Sequence, residues 1–341
     1  MSEASICIVG AGVTGLSLLL LLENRGFPLE TITILDPCFD GGDLVRKWTT
    51  TESNTPWSKS IETLQQCCPG LVLPAEYLAK DQAGRCPLAD LGRFVLAAAS
   101  TALKRVTRIH GSASSASYDS ATNTWSVIYK SGVTVSELRS KKIVLAIGAE
   151  PKSTDLDVPS IPLENALDSN RLRHIVRAGE KAVVIGTMHS GTIVMENLYK
   201  NGLTVSALYN TAKPFYWDRD GDYDGVKGEA AVIADAITNG ERPQIELIHF
   251  QDISKVVRAC SKADWVVYSM GFACRKSIDL IVNGEKMALT YDGLTGRLDK
   301  CNAAWGFGVG FPNRAPDGIH WDVSVAAFLK HMETQIASIT L

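Results

Sequence analysis

Apolar positions near the start of this chain come as unbroken blocks rather than as an alternation. Residues 6–9 (Ile-Cys-Ile-Val) are one block, residues 16–22 are leucines broken by a single serine, and residues 31–35 are again mostly apolar. A short block without alternation marks a strand buried on both faces, and a longer one a buried helix. Strand, helix and strand are therefore expected. Residues 37–74 lose the pattern and read as a loop-rich stretch, with turn signals at Gly41-Gly42 and Asn54-Thr55-Pro56. Residues 88–103, rich in Ala and Leu with polar breaks, predict a helix. Strand-like runs at 106–112, 125–129 and 142–147 follow, parted by turn signals at 120–123 and 131–132, and predict a small antiparallel meander.

The pattern then restarts. Residues 181–185 predict a strand, Gly186-Thr-Met-His-Ser-Gly191 a turn, 192–200 a helix and 204–209 a second strand. A later strand at 263–269 stops just before Gly271, and an amphipathic helix is expected around 322–336. The expected fold class is α/β. A Rossmann-like first domain would hold residues 1–160 and resume at 290–341, with a smaller domain of nucleotide-binding type, residues 161–289, inserted into it.

Chemistry enters at the first turn, where Gly10, Gly12 and Gly15 form G-x-G-x-x-G between strand and helix. Gly10 allows the tight turn, Gly12 lets backbone approach a pyrophosphate, and Gly15 lets helix and strand pack closely. The helix N-terminus offers unpaired N–H groups and partial positive charge to that anion. Asp36 follows the second strand, 21 positions after Gly15, where a carboxylate meets a ribose 2′-hydroxyl. It also argues against a 2′-phosphate, since two anions would repel. The run 143–148 ends in Gly148-Ala-Glu-Pro151, a strand that stops on Gly where backbone comes close to something.

Composition narrows the partners. The chain is 45% hydrophobic and 21% charged with net charge −3, which gives no electrostatic case for nucleic acid or anionic lipid. No apolar run nears the ~20 residues of a membrane span. Ser2 and Glu3 precede the first block rather than basic residues, so no secretory leader is expected and the expected location is cytoplasmic. Eight cysteines (7, 38, 67, 68, 86, 260, 274 and 301) include no C-x-x-C or C-x₄-C pair, which disfavours a disulfide reductase. No metal site is expected. The acidic stretch 218–224 resembles a calcium loop only superficially, and no His or Cys cluster has zinc spacing.

Taken together, residues 6–15 with Asp36, the element at 143–151 and the nested unit at 182–209 resemble the two-dinucleotide-binding-domain flavoproteins, the pyridine nucleotide-disulfide oxidoreductase-like fold. The resemblance spans nearly the whole chain. It implies FAD on the first domain and NADPH or NADH on the second. Gly10, Gly12, Gly15 and Asp36 would bind the ADP half of FAD. Val106 would set its backbone against the adenine, and Gly148 would lie beside the pyrophosphate. Gly308, Val309 and Phe311 would lie against the ribityl chain and isoalloxazine. Within the group, flavin-containing monooxygenases look nearest. Gly42 and Trp48 resemble their G-G-x-W stretch with altered spacing, and residues 53–59 resemble their Asn-Thr-x-Lys segment. By that resemblance Asn54 would sit near flavin C4a.

The second turn departs from the pattern. Gly186, Ser190 and Gly191 fit a phosphate-binding turn, but Met188 stands where the second glycine would admit a pyrophosphate. The strand 204–209 is followed by neither an acid for NADH nor an arginine for a 2′-phosphate. The monooxygenase F-x-G-x-x-x-H signature is missing too. Candidate chemistry residues are Asn54 (or a turn-former before Thr-Pro), Lys59 (or a solvated lysine) and His189 (or a helix-cap neighbour). Trp48, Trp57 and Trp305 are candidates for an aromatic wall or for core packing. The function expected is an FAD-dependent oxidoreductase acting on a small molecule, monooxygenase-like with NAD(P)H as donor. The alternatives are an oxidase or dehydrogenase reduced directly by its substrate, and a non-catalytic FAD-binding redox or interaction protein. The expected partner is a small-molecule substrate, with a homodimer as the candidate assembly.

Overall fold

Burial on both faces turns the first apolar blocks into parallel strands. The computed structural model describes residues 3–53, 55–80, 84–215, 218–219, 222–223, 226, 228–315, 318 and 321–341. The chain forms two units, Met1–Glu150 with Ala273–Leu341, and Pro151–Phe272. The sequence-based boundaries at 160/161 and 289/290 lie later at both crossings. The strands Asp279–Val282 and Glu285–Met287, which the apolar pattern does not mark, belong to the sheet of the first unit.

In the first unit, β1 (Ala4–Val9) lies between β2 (Ile32–Asp36) and the far half of β6 (Thr134–Leu145), parallel to both. β3 (Thr107–His110) adds to the outer side of β2, and Ala304–Gly306 adds to β6, both parallel. The parallel part is therefore β3-β2-β1-β6-(304–306), a doubly wound order. The near half of β6 pairs antiparallel with β5 (Thr124–Ser131), which pairs with β4 (Ser112–Asp119). One strand thus serves both the parallel sheet and the meander. The run 106–112, expected as the first meander strand, instead splits. β3 joins the parallel sheet, and the meander starts only after Gly111.

Helix α1 (Val13–Asn24) is buried around most of its circumference, because it packs between sheet and helices. Its cover is the C-terminal helix Val325–Thr340 and the helix Leu88–Ala98; α3 (Trp57–Cys67) packs on the first of these and α2 (Asp43–Arg46) on the second. The α3 helix lies in the stretch expected to be loop-rich. Its buried positions Trp57, Ser60, Ile61, Leu64 and Cys67 follow a helical spacing that turn signals on either side obscure. Trp57 stacks edge-on to Phe94 at 5.2 Å and donates Nε1–H to Tyr77 O at 2.8 Å.

The second unit carries a four-stranded parallel sheet in the order (245–249)-(204–209)-(181–185)-(265–268). The helix His189–Lys200 follows the strand Lys181–Ile185. Glu196 on that helix is buried and receives Arg242 Nε–H at 2.8 Å and Nη2–H at 3.0 Å. This pair lies on the C-terminal half of the helix, away from the glycine turn. None of the helices is long and apolar enough to cross a membrane, among the described residues.

Candidate functional site

The carboxyl ends of four parallel strands bring Gly10, Asp36, Gly148 and the 307–311 turn to one edge of the first unit. Open α/β sheets bind ligands at such an edge. Gly10 has φ +109°, and a Cβ there would stand 2.3 Å from Ala146 O. A Cβ on Gly15 would stand 1.9 Å from Gly10 O. Packing within the chain therefore excludes side chains at both positions. Gly12 is different. It is the N-cap of α1 at φ −73°, ψ −177°, extended backbone open to any residue, and a Cβ would meet only Gly42 Cα at 3.9 Å. Among the described residues nothing crowds a side chain at Gly12, which leaves room for a ligand beside the helix N-terminus. The three-glycine turn thus fits a pyrophosphate.

Asp36 is buried, and both of its oxygens accept from backbone. Its Oδ2 accepts Ala11 N–H at 2.7 Å, and its Oδ1 accepts Cys38 N–H and Phe39 N–H, both at 2.8 Å. The carboxylate therefore ties the glycine turn to the loop after β2. An ionised carboxylate has about four acceptor sites, so one site on Oδ2 remains for a ribose hydroxyl.

Two further segments close on the turn. Gly41 and Gly42 have φ +92° and +79°, and a Cβ on Gly42 would stand 2.8 Å from Gly12 Cα. On the other side, Gly308 (φ +88°) leaves no room for a Cβ, which would meet Thr14 Oγ1 at 2.4 Å. Gly310 is packed the same way on Gly148 O, at 2.4 Å. Phe311 is buried, with Tyr291 edge-on at 5.3 Å, whereas Val309 is exposed. Arg275 fixes the rim. It pairs with Asp43 at 2.5 Å and Glu150 at 3.2 Å, and its Nη1 stands 4.0 Å from where a Gly148 Cβ would be. Sequence reading missed Gly310 and Arg275. The first lay inside a recognised turn without a motif, and the second gains its meaning only from distant partners.

The second unit repeats the frame. Gly186 has φ +100°, its Cβ would meet Ser269 O at 2.3 Å, and a Cβ on Gly191 would meet Gly186 O at 2.0 Å. Gly10 N–H donates to Leu35 O at 2.8 Å, and Gly186 N–H to Leu208 O at 2.9 Å. Met188, the N-cap at φ −77°, ψ −169°, has the backbone of Gly12 and adds a side chain. Tyr209 falls where Asp36 falls in the first unit, and its ring meets His249 edge-on at 5.1 Å. His189 and Ser190 open the helix His189–Lys200 and are half-buried.

The other expected site residues fall as follows. Val106 precedes β3, at the end of the strand opposite Asp36, whose register partner is His110. Its assignment to an adenine is therefore corrected, because the parallel pairing sends residues 111–113, not Val106, past the site edge. Lys59 is exposed on α3, and Trp48 is buried just after α2. Asn54 lies outside the described residues. Trp57 and Trp305 are 1% exposed core side chains rather than pocket walls, and Arg297 stacks over Trp305 at 5.4 Å. Stretch 218–224 lies partly outside the described residues.

No family model and no curated protein matches this chain in sequence. Solved structures do match in shape. A flavin monooxygenase from Stenotrophomonas maltophilia, a double mutant, is 15% identical with a TM-score of 0.67, over 100% of this chain and 99% of that one. A bacillithiol disulfide reductase from Staphylococcus aureus is 13% identical with a TM-score of 0.62, over 99% and 98%. OTEMO in an FAD-bound form is 12% identical with a TM-score of 0.61, over 98% and 84%. At these identities the likeness is one of fold alone, and this chain shares the fold of those three structures.

Proposed function

We propose, for a chain with the fold of these flavoproteins, that it is an FAD-dependent oxidoreductase acting on a small molecule. The observation that carries this reading is the Gly12 cradle, the one position of the first glycine turn whose missing side chain serves no packing need. Gly10, Gly12 and Gly15 with the first N–H groups of α1 would hold the pyrophosphate. The free acceptor site of Asp36 would take a ribose hydroxyl, and Gly148 with the 308–311 turn would hold the ribityl side. The flavin, when bound, supplies hydride and single-electron chemistry, and the chain supplies binding and orientation. Two of the structural neighbours, a flavin monooxygenase and an FAD-bound form, support the cofactor.

A monooxygenase with NAD(P)H as donor is the leading finer reading, supported by the Gly41-Gly42 stretch against Gly12. Ser190, Gly186, Gly191 and the helix N-terminus of the second unit would hold the nicotinamide dinucleotide, with His189 beside them. A specific observation favours a second reading, reduction of the flavin by the substrate itself. Met188 fills the place of Gly12, and Tyr209 stands in place of an acid. The test is the visible spectrum of the purified protein, recorded anaerobically before and after NADPH and then NADH. Flavin bands near ~370 and ~450 nm that bleach quickly support the first reading. Bands that persist support the second, and a colourless protein that takes up no FAD overturns both.

A further inference from the structure

Among the described residues of the first unit, one buried side-chain acceptor has no donor. Asn313, 8% exposed, lies two residues past Phe311 in the strand Asn313–Arg314, which pairs with Trp321–Asp322. Its Nδ2–H donates to Asp322 Oδ2 at 3.4 Å, while its Oδ1 is buried without a donor. Asp322 fixes which way the amide faces, since a flipped amide would set two oxygens against each other. A buried acceptor left unmade is costly, and each such group calls for a partner.

Position says which partner. Asn313 ends the segment that leaves Ala304–Gly306, crosses Thr14 at Gly308 and Gly148 at Gly310, and is pinned by the Tyr291 hydroxyl on Pro312 O at 2.8 Å. Two residues past its strand partner Asp322, Ser324 caps the C-terminal helix, and the first turn of that helix shares a small cavity with Ser17 of α1. The segment therefore stays at the edge where the glycine turn lies. We propose that Asn313 Oδ1 accepts the N3–H of the flavin ring, the single ring N–H of the oxidised isoalloxazine. This rests on the FAD reading above and adds the residue that reads the pyrimidine end of the ring.

The experiment titrates flavin-free protein with FAD and with FAD methylated at N3, following flavin fluorescence. Wild type is expected to bind the methylated analogue at least about tenfold more weakly, the size of one lost hydrogen bond. Asn313→Ala is expected to lose about tenfold in FAD affinity and to bind both flavins alike. If that variant does not fold, Asn313→Gln, which moves the amide by one methylene, is expected to lose the preference. Wild type binding both flavins equally overturns the assignment and leaves the FAD reading standing. A variant that keeps the full preference overturns it as well, because another group then reads N3–H. Wild type binding neither flavin overturns both.

Discussion

Single glycines in this chain do separable jobs, and substitution tells them apart. Gly15→Ala places a methyl 1.9 Å from Gly10 O and should cost several kcal/mol, enough to prevent folding or lower the melting temperature by many degrees. Gly12→Ala meets nothing closer than 3.9 Å, in a backbone conformation that any residue adopts. It should leave the melting temperature of the flavin-free protein within a few degrees of wild type while weakening FAD at least about tenfold. Thermal melts alongside a flavin titration check both statements. Equal losses of stability for the two variants would undo the distinction. Asp36 cannot be tested so cleanly. Its carboxylate holds three backbone N–H groups, so its removal disturbs the turn as well as the ligand.

At the scale of elements, the C-terminal helix Val325–Thr340 fastens the first unit. Lys142 Nζ–H donates to Ile339 O at 2.8 Å near its end, and burial pushes the Lys142 ammonium below its ordinary value. His331 on the same helix is buried, bonds Leu294 O at 3.0 Å and stands edge-on to Phe307 at 5.4 Å. Burial lowers its pKa below the ordinary histidine value, outweighing the bond to Leu294 O and the nearby Asp292, which push it up. The unfolded chain thus binds the proton more tightly than the folded one. Stability is full above the ordinary value of ~6.5 and falls as pH drops from there toward the folded value. Melts from pH 7.5 to 5.5 should show a steeper decline for wild type than for His331→Gln, and parallel curves would remove His331 from the account.

For the molecule as a whole, the informative comparison is between its two glycine turns, each read within its own unit. Their frames agree in φ, in the clashes that forbid a Cβ and in the bond from the first glycine to the neighbouring strand. They differ at Met188 and Tyr209. Met188→Gly is tolerated by an extended N-cap backbone. If the second turn is a hindered nicotinamide site, the variant should tighten NADPH or NADH by at least about tenfold and speed anaerobic bleaching of the flavin. An unchanged titration would leave the second unit without a nicotinamide role and direct the search to substrates that reduce FAD themselves.

The sequence by itself determined the features that depend on short range. An unbroken apolar block can only be a buried element, and three glycines at fixed spacing before a leucine-rich helix leave little freedom, so the first strand-turn-helix-strand unit and its repeat were legible. Legible too was that Met188 stands where the first turn has Gly12, which follows from spacing alone. Tertiary structure decided what depends on which strands pair. The parallel register of β2 with β3 moved the site edge from Val106 to the crossing at Gly111. The double pairing of β6 made one strand of two expected roles. Only the folded chain shows that Gly12 has open space above it while Gly10 and Gly15 do not, since the atoms that crowd a Cβ come from Ala146 and from the turn itself. The same holds for Arg275 between Asp43 and Glu150, and for the unmet oxygen of Asn313. Residues far apart in sequence create those environments, and no local pattern encodes them.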